Sequence, residues 1–216
     1  MPSTVSLGLF ALAAVALLVV PGPAVLYITT RSAAQGRRAG MVSVLGVHTG
    51  TLVHVLAAVA GLSALLVTSA LAFSVVKVVG AAYLIVLGIR TIAGRRDGFA
   101  ATPEATKARS LQRLYLDGVV VNVLNPKTAL FFLAFLPQFV ERDHGRPVWL
   151  QTLVLGAVFV GLGLVTDGLY AMAGAGVGRW IRNRGWARRH GPVVEGGILV
   201  GLGVAALAAP HRKVPA

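Results

Sequence analysis

The side chains that could do chemistry in this sequence lie inside apolar runs. Asp117, Asp167 and Glu195 are three of its seven acids, and His48, His54 and Lys127 fall in segments otherwise as apolar as a bilayer core. Burying an ionisable group in lipid is expensive, so each is a functional candidate by default. Carboxylates and imidazoles change protonation at accessible pH, which makes these acids and histidines candidates for carrying a proton coupled to transport. His48 and His54 are six residues apart. They point about 120° apart around a helix, so one can face a site while the other packs against a neighbour. Lys127 can offer a cation to a substrate carboxylate, or reach the interface along its stem. Asp117 and Glu195 lie near one end of their apolar segments, where pairing with basic loop residues competes with a transport role. Asp167 is deeper in its segment, and His54 is nearer the middle of its segment than His48.

Nothing here spells a catalytic or metal centre. There is no Cys, which excludes disulfides, thiol chemistry and Cys-ligated metals. No His-Glu-x-x-His occurs, and no His and Asp cluster has ligand spacing. The nearest match to the Gly-x-Ser-Gly turn of an intramembrane serine protease is Gly61-Leu-Ser63-Ala64, which lacks the final Gly. A metal-cation exporter and an intramembrane hydrolase are therefore the poorer alternatives, and no cofactor is expected.

The elements that must position these groups are interrupted helices. The stretch from Val119 to Phe139 is apolar enough to cross a bilayer yet carries Asn122, Asn125, Pro126 and Lys127. Pro126 has no N–H, so the carbonyl four positions back, on Asn122, must find another partner. A second break, Pro21-Gly22-Pro23, sits in the first apolar segment. Such breaks survive at membrane depth only where they are buried in protein or line a wet cavity. The two breaks are expected to face each other and form a transport site from Pro21, Gly22, Pro23, Asn122, Asn125, Pro126 and Lys127. Backbone amides and carbonyls freed there suit the two charged ends of a zwitterion, which points to amino acids.

The chain as a whole is built for lipid. Of its 216 residues 56% are hydrophobic and 12% charged, and mean hydropathy is +0.78. That composition predicts an all-α polytopic membrane protein of six helices, at 4–30, 41–67, 73–93, 114–136, 148–176 and 192–209. A basic loop is expected over Arg31–Gly40, and a linker over 95–113 divides a first half (1–94) from a second (114–216) within a single transporter domain. Three helices per half would insert two equivalent halves with opposite topology, each opening on a Pro-broken helix, the pattern of an inverted-repeat transporter. Most of the 20 Lys and Arg fall in the first, third and fifth loops, which the positive-inside rule puts in the cytoplasm, with both termini outside. The net charge of +13 is then a topology signal beside anionic lipid, not a nucleic-acid surface. Gly46-Val-His-Thr-Gly50 and Gly197-Ile-Leu-Val-Gly201 permit close helix contact, within the chain or between chains.

An ordered set of motifs resembles the lysine-exporter (LysE/RhtB) family of amino-acid efflux translocators. It consists of Pro21-Gly22-Pro23, then Gln35-Gly36-Arg37-Arg38-Ala39-Gly40, then Gly46, Gly50 and His54. Gly80-Ala-Ala-Tyr83-Leu84 with Gly88 follows, then Asn122-Val-Leu-Asn125-Pro126-Lys127 with Phe131-Phe132, closing on Leu136-Pro137-Gln138-Phe139. The resemblance implies a small inner-membrane exporter of amino acids or close derivatives, driven by the proton gradient and dimeric, with Pro21, Gly22, Pro23, Asn125, Pro126 and Lys127 forming the site. Members of that family often carry Asp or Asn directly after Pro-Gly-Pro, where this chain has Ala24. That polar role is then absent, or supplied by Asp117 or Asp167.

Overall fold

Proline decides where these helices stop. The computed structural model describes residues 2–68, 108–140 and 147–183, with scattered positions between 75 and 93 and between 193 and 208; side chains at 62–68 and 175–183 are outside the description. The first helix, α1 (Thr4–Val19), opens on Ser3, whose hydroxyl accepts the Ser6 N–H at 3.2 Å. Pro21 and Pro23 cannot donate to the preceding turn, so the chain leaves the helix at Val20 (φ −80°, ψ 120°). Helix α2 (Pro23–Gln35) restarts with Pro23 in its first turn, where a missing N–H costs nothing. The two pieces meet at a bend of 51°.

The basic loop expected over Arg31–Gly40 is not a loop. Helix α2 continues to Gln35, and α3 (Arg37–Thr68) begins after a single residue. Gly36 makes that reversal at φ +87°, a left-handed conformation that favours glycine. One contact within the helix and one from Arg109 hold the extra turn. The Arg31 guanidinium lies 5.6 Å from the centre of the Tyr27 ring, and the Gln35 amide clamps the backbone of Arg109, donating to its carbonyl at 2.8 Å and accepting its N–H at 3.0 Å.

The second half repeats the broken pattern. Helix α4 (Leu111–Val123) starts three residues earlier than the sequence suggests, because the Ser110 hydroxyl caps the Arg113 N–H. After Leu124 and Asn125 the chain resumes as α5 (Pro126–Leu130), continuing through a π turn (Phe131–Phe135) and a 3-10 turn (Leu136–Phe139), with a bend of 47° at the break. The wide turn delivers Phe131, Phe132 and Phe135 into an aromatic cluster with Phe10, Phe139 and Phe159; ring centres lie 5.0 Å apart for Phe131–Phe159 and 5.4 Å for Phe10–Phe139. Helix α6 (Val148–Asn183) kinks at Gly174 (φ +44°), close to the end expected at 176.

Two of these helices are long and apolar enough to cross a membrane, Arg37–Gly61 and Val148–Gly174, and each bent pair qualifies when taken as one span. The described positions within 73–93 and 192–209 are helical up to Ile92 and Ala208, and no strand occurs among the described residues. Helix α3 runs through the middle, packed along α2, α4 and α6. Its Gly46 and Gly50 meet α4 backbone to backbone: a Cβ on Gly50 would stand 2.8 Å from the Val119 carbonyl, one on Gly46 would overlap the Tyr115 carbonyl, and one on Gly118 of α4 would stand 2.9 Å from the Ser43 carbonyl. The Gly46–Gly50 pattern is thus an internal contact, whereas a Cβ on Gly197 or Gly201 would meet nothing within 4 Å among the described residues.

Candidate functional site

The carbonyl that Pro126 frees has found its partner. His54 Nε2 lies 2.9 Å from the Asn122 carbonyl oxygen, which can only accept, so His54 donates there; the Asn125 N–H reaches the same oxygen at 3.0 Å. The His54 ring also stacks on Phe132. The Asn122 side chain is buried and fully used. Its amide donates to the Val47 carbonyl at 2.9 Å and to the Thr51 hydroxyl at 2.8 Å, and its Oδ1 accepts from Asn125 at 3.2 Å and from Thr128 at 3.1 Å. Asn125 Oδ1 then caps α5 by accepting the Lys127 N–H at 3.1 Å. Asn122 therefore ties both pieces of the second broken helix to the middle of α3.

The two breaks meet through Lys127. Its ammonium donates to the Val20 carbonyl at 2.7 Å, at the point where α1 ends. Lys127 is 8% exposed and does not reach outward along its stem. The neighbouring Val19 carbonyl accepts the Tyr170 hydroxyl at 2.6 Å. Lys127 of the second break thus reaches the residue directly before the first break, inside the protein.

Around this junction lies a cavity of about 40 Å³, lined by Val20, Gly22, Asn122, Asn125, Lys127 and Thr128 from the breaks and by Ala24, His48, Thr51 and Asp167 beside them. Leu17, Leu18, Val25, Val47 and Phe159 supply its apolar wall. His48 Nε2 is 3.1 Å from Asp167 Oδ2, and both side chains are about as buried as the hydrophobic core. Their other polar atoms, His48 Nδ1 and Asp167 Oδ1, are buried with no hydrogen-bond partner among the described residues. Such orphans are costly in a folded protein, and they concentrate where something else must bind. Gly163, one turn before Asp167, makes the pair possible, since a Cβ there would overlap the His48 ring.

The remaining candidates fall elsewhere. Asp117 is held by Arg109 Nη1 and by Arg113 Nε at 3.3 Å, away from the cavity, so the basic-pair alternative describes its position. His54 supports the second break from behind and does not line the cavity. Pro21 and Pro23 are half-buried at the first bend, and Pro126 opens α5. Glu195 lies outside the described residues. Thr51, Thr128, Tyr170 and Gly163 were not legible as site residues. Only Thr128, directly after Lys127, carried a local hint.

Bent helices meeting at a largely apolar cavity that holds a few buried polar groups, in a chain of apolar spans, fit a membrane translocator. The chain belongs to the LysE type translocator family, which matches residues 15–209. It is 33% identical over 178 residues to an uncharacterised membrane protein of Vibrio cholerae, covering 81% of this chain and 83% of that one. It is 33% identical over 162 residues to a homoserine/homoserine lactone efflux protein of Salmonella typhimurium, covering 75% and 77%. To a leucine efflux protein of Klebsiella pneumoniae it is 26% identical over 192 residues, 88% of each chain. No solved structure matches.

Proposed function

We propose that the protein exports neutral amino acids or close derivatives from the cytoplasm across the inner membrane, in exchange for protons. In this reading six spans form two inverted three-helix repeats, with the odd loops in the cytoplasm and both termini outside. The observation that carries the reading is the cavity at the junction of the two breaks. Its lining includes a buried ammonium, Lys127, and a buried carboxylate, Asp167, together with an apolar wall. A zwitterion with no net charge on its side chain matches that arrangement; homoserine, with a short hydroxyethyl side chain, and leucine, with a branched aliphatic one, are named for two relatives and are both of that class. Asp167 lines the same cavity as Ala24, the position where the family resemblance leads us to expect an Asp or Asn after Pro-Gly-Pro, and supplies a carboxylate there. The His48–Asp167 pair is the proton carrier: a carboxylate that shares its proton with an imidazole can be loaded from one side and unloaded to the other as the bends move. Among the described residues no group of three His, Asp or Glu comes together, so a metal cation as cargo gains no support.

The test is uptake by everted vesicles from cells overproducing the protein. Radiolabelled leucine or homoserine is expected to accumulate when the vesicle interior is acidified, and to leak away when a protonophore collapses the gradient. No uptake of any member of a broad panel of amino acids and dipeptides would sink the exporter reading. Asp167→Asn is expected to reduce gradient-driven uptake by at least about tenfold, with the protein still present in the membrane. Uptake that keeps its full pH dependence in that variant removes Asp167 from the coupling.

A further inference from the structure

Lys127 carries a primary ammonium, the group that a free amino acid presents beside its carboxylate. That ammonium sits 2.7 Å from the Val20 carbonyl oxygen, just past the end of α1, where the extended backbone of Val20 takes its carbonyl out of the helical hydrogen-bond ladder. The lysine stem and head fill this part of the site, and the cavity left beside them is only about 40 Å³. One water needs roughly 10–15 Å³ on the same measure, so there is space for a few waters and too little for an amino acid. Something must move before a solute enters. Among the groups lining the cavity, Lys127 is the flexible one that is chemically interchangeable with part of the solute.

We infer that the Val20 carbonyl is the ammonium subsite of the transport site, and that Lys127 is a tethered occupant which the solute's own ammonium displaces. The inference rests on the amino-acid reading above and sharpens it. The ligand class is a primary ammonium with N–H donors to give. A quaternary ammonium of similar charge cannot replace Lys127, because it has no hydrogen to donate. The exchange also keeps the charge beside Asp167 balanced: a zwitterion brings no net charge, and Lys127 stays on its stem within the same cavity. Asp167, 3% exposed with Oδ1 unpartnered, is the acceptor that keeps a cation favoured there throughout.

The experiment uses Lys127→Ala with n-propylammonium, which contains the same non-hydrogen atoms that the substitution deletes. Binding is read from the thermal unfolding of the purified full-length protein in detergent, with tetramethylammonium as the control cation. The variant is expected to bind n-propylammonium at least about tenfold more tightly than the wild type, since it lacks the competing charge-assisted bond, and to ignore tetramethylammonium. Equal binding by variant and wild type, or equal response to both cations, overturns the assignment. Should the variant fail to fold, the wild type decides. Its lysines are Lys77, Lys107, Lys127 and Lys213, few enough to follow by nitrogen NMR of the labelled ammonium groups. n-Propylammonium is expected to shift the Lys127 signal and tetramethylammonium to leave it in place; an unmoved signal at saturating n-propylammonium overturns the inference. Neither measurement needs transport. Vesicles that move no amino acid while n-propylammonium still displaces Lys127 would defeat the exporter reading alone.

Discussion

The two breaks bend by similar angles, 51° and 47°, but they are held in different ways. The second break has a local cap in addition to its bonds to α3. Asn125 caps α5 with its own side chain, its N–H takes the Asn122 carbonyl, and Asn122 fastens both pieces to α3. The first break has no local cap: Gly22 offers α2 no side chain, and the Val19 and Val20 carbonyls depend on Tyr170 of α6 and Lys127 of α5. Local bonds move with the element that makes them, whereas bonds between elements must break when those elements separate. We therefore expect the second break to act as an anchor and the first as the part that lets go.

The largest expected effect tests the anchor. Asn122→Ala removes two donors and two acceptor positions from a buried junction, leaving Asn125 and Thr128 without their acceptor. We expect a loss of about 3–5 kcal/mol and a fall in the unfolding midpoint on the order of 10 °C in detergent. A fall below about 2 °C would mean that the junction is not what fixes the second break to α3.

How much of this was legible in the chain follows from the range of each interaction. Proline acts on the carbonyl four residues back by covalent geometry, so both breaks, and the need of Asn122 for a new partner, could be read directly. The identity of that partner could not. His54 is 68 residues away from Asn122, and sequence alone left both histidines as proton candidates, with one expected to face the site and the other to pack against a neighbour. What separates their roles is which face of α3 meets α4 and which meets α6, a result of the glycine contacts at Gly46, Gly50 and Gly163. The one-residue reversal at Gly36 was hidden for a similar reason. Arg31, Arg37 and Arg38 look like a loop by composition, while the contacts that keep α2 helical to Gln35 come from Arg109, far along the chain. The Ser110 cap was local and readable, and it explains the early start of α4.

A smaller effect separates support from proton carriage. His54→Gln keeps a side-chain donor for the Asn122 carbonyl and loses the stacking on Phe132. The expected cost is about 1 kcal/mol in stability, with gradient dependence of uptake intact, because His54 does not line the cavity that holds His48 and Asp167. Loss of the pH dependence in this variant, with uptake otherwise preserved, would move the proton path onto the anchor and reverse the division of labour between the two histidines.

The smallest structural change should show most clearly which break moves. Tyr170→Phe deletes one hydroxyl from a half-buried residue and frees the Val19 carbonyl while leaving Lys127 on Val20. Stability should fall by no more than about 1 kcal/mol, a midpoint change of roughly 2–4 °C. Tyr170 does not line the cavity, so the concentration of amino acid giving half-maximal uptake should stay the same. The rate of turnover should not. A bond that links α6 to the end of α1 contributes to one position of the first bend, and removing about 1 kcal/mol from that position changes a rate limited by the bend by roughly fivefold. If Tyr170→Phe leaves turnover untouched while His54→Gln alters it, the moving part is the second break, and the local cap at Asn125 is a hinge instead of an anchor.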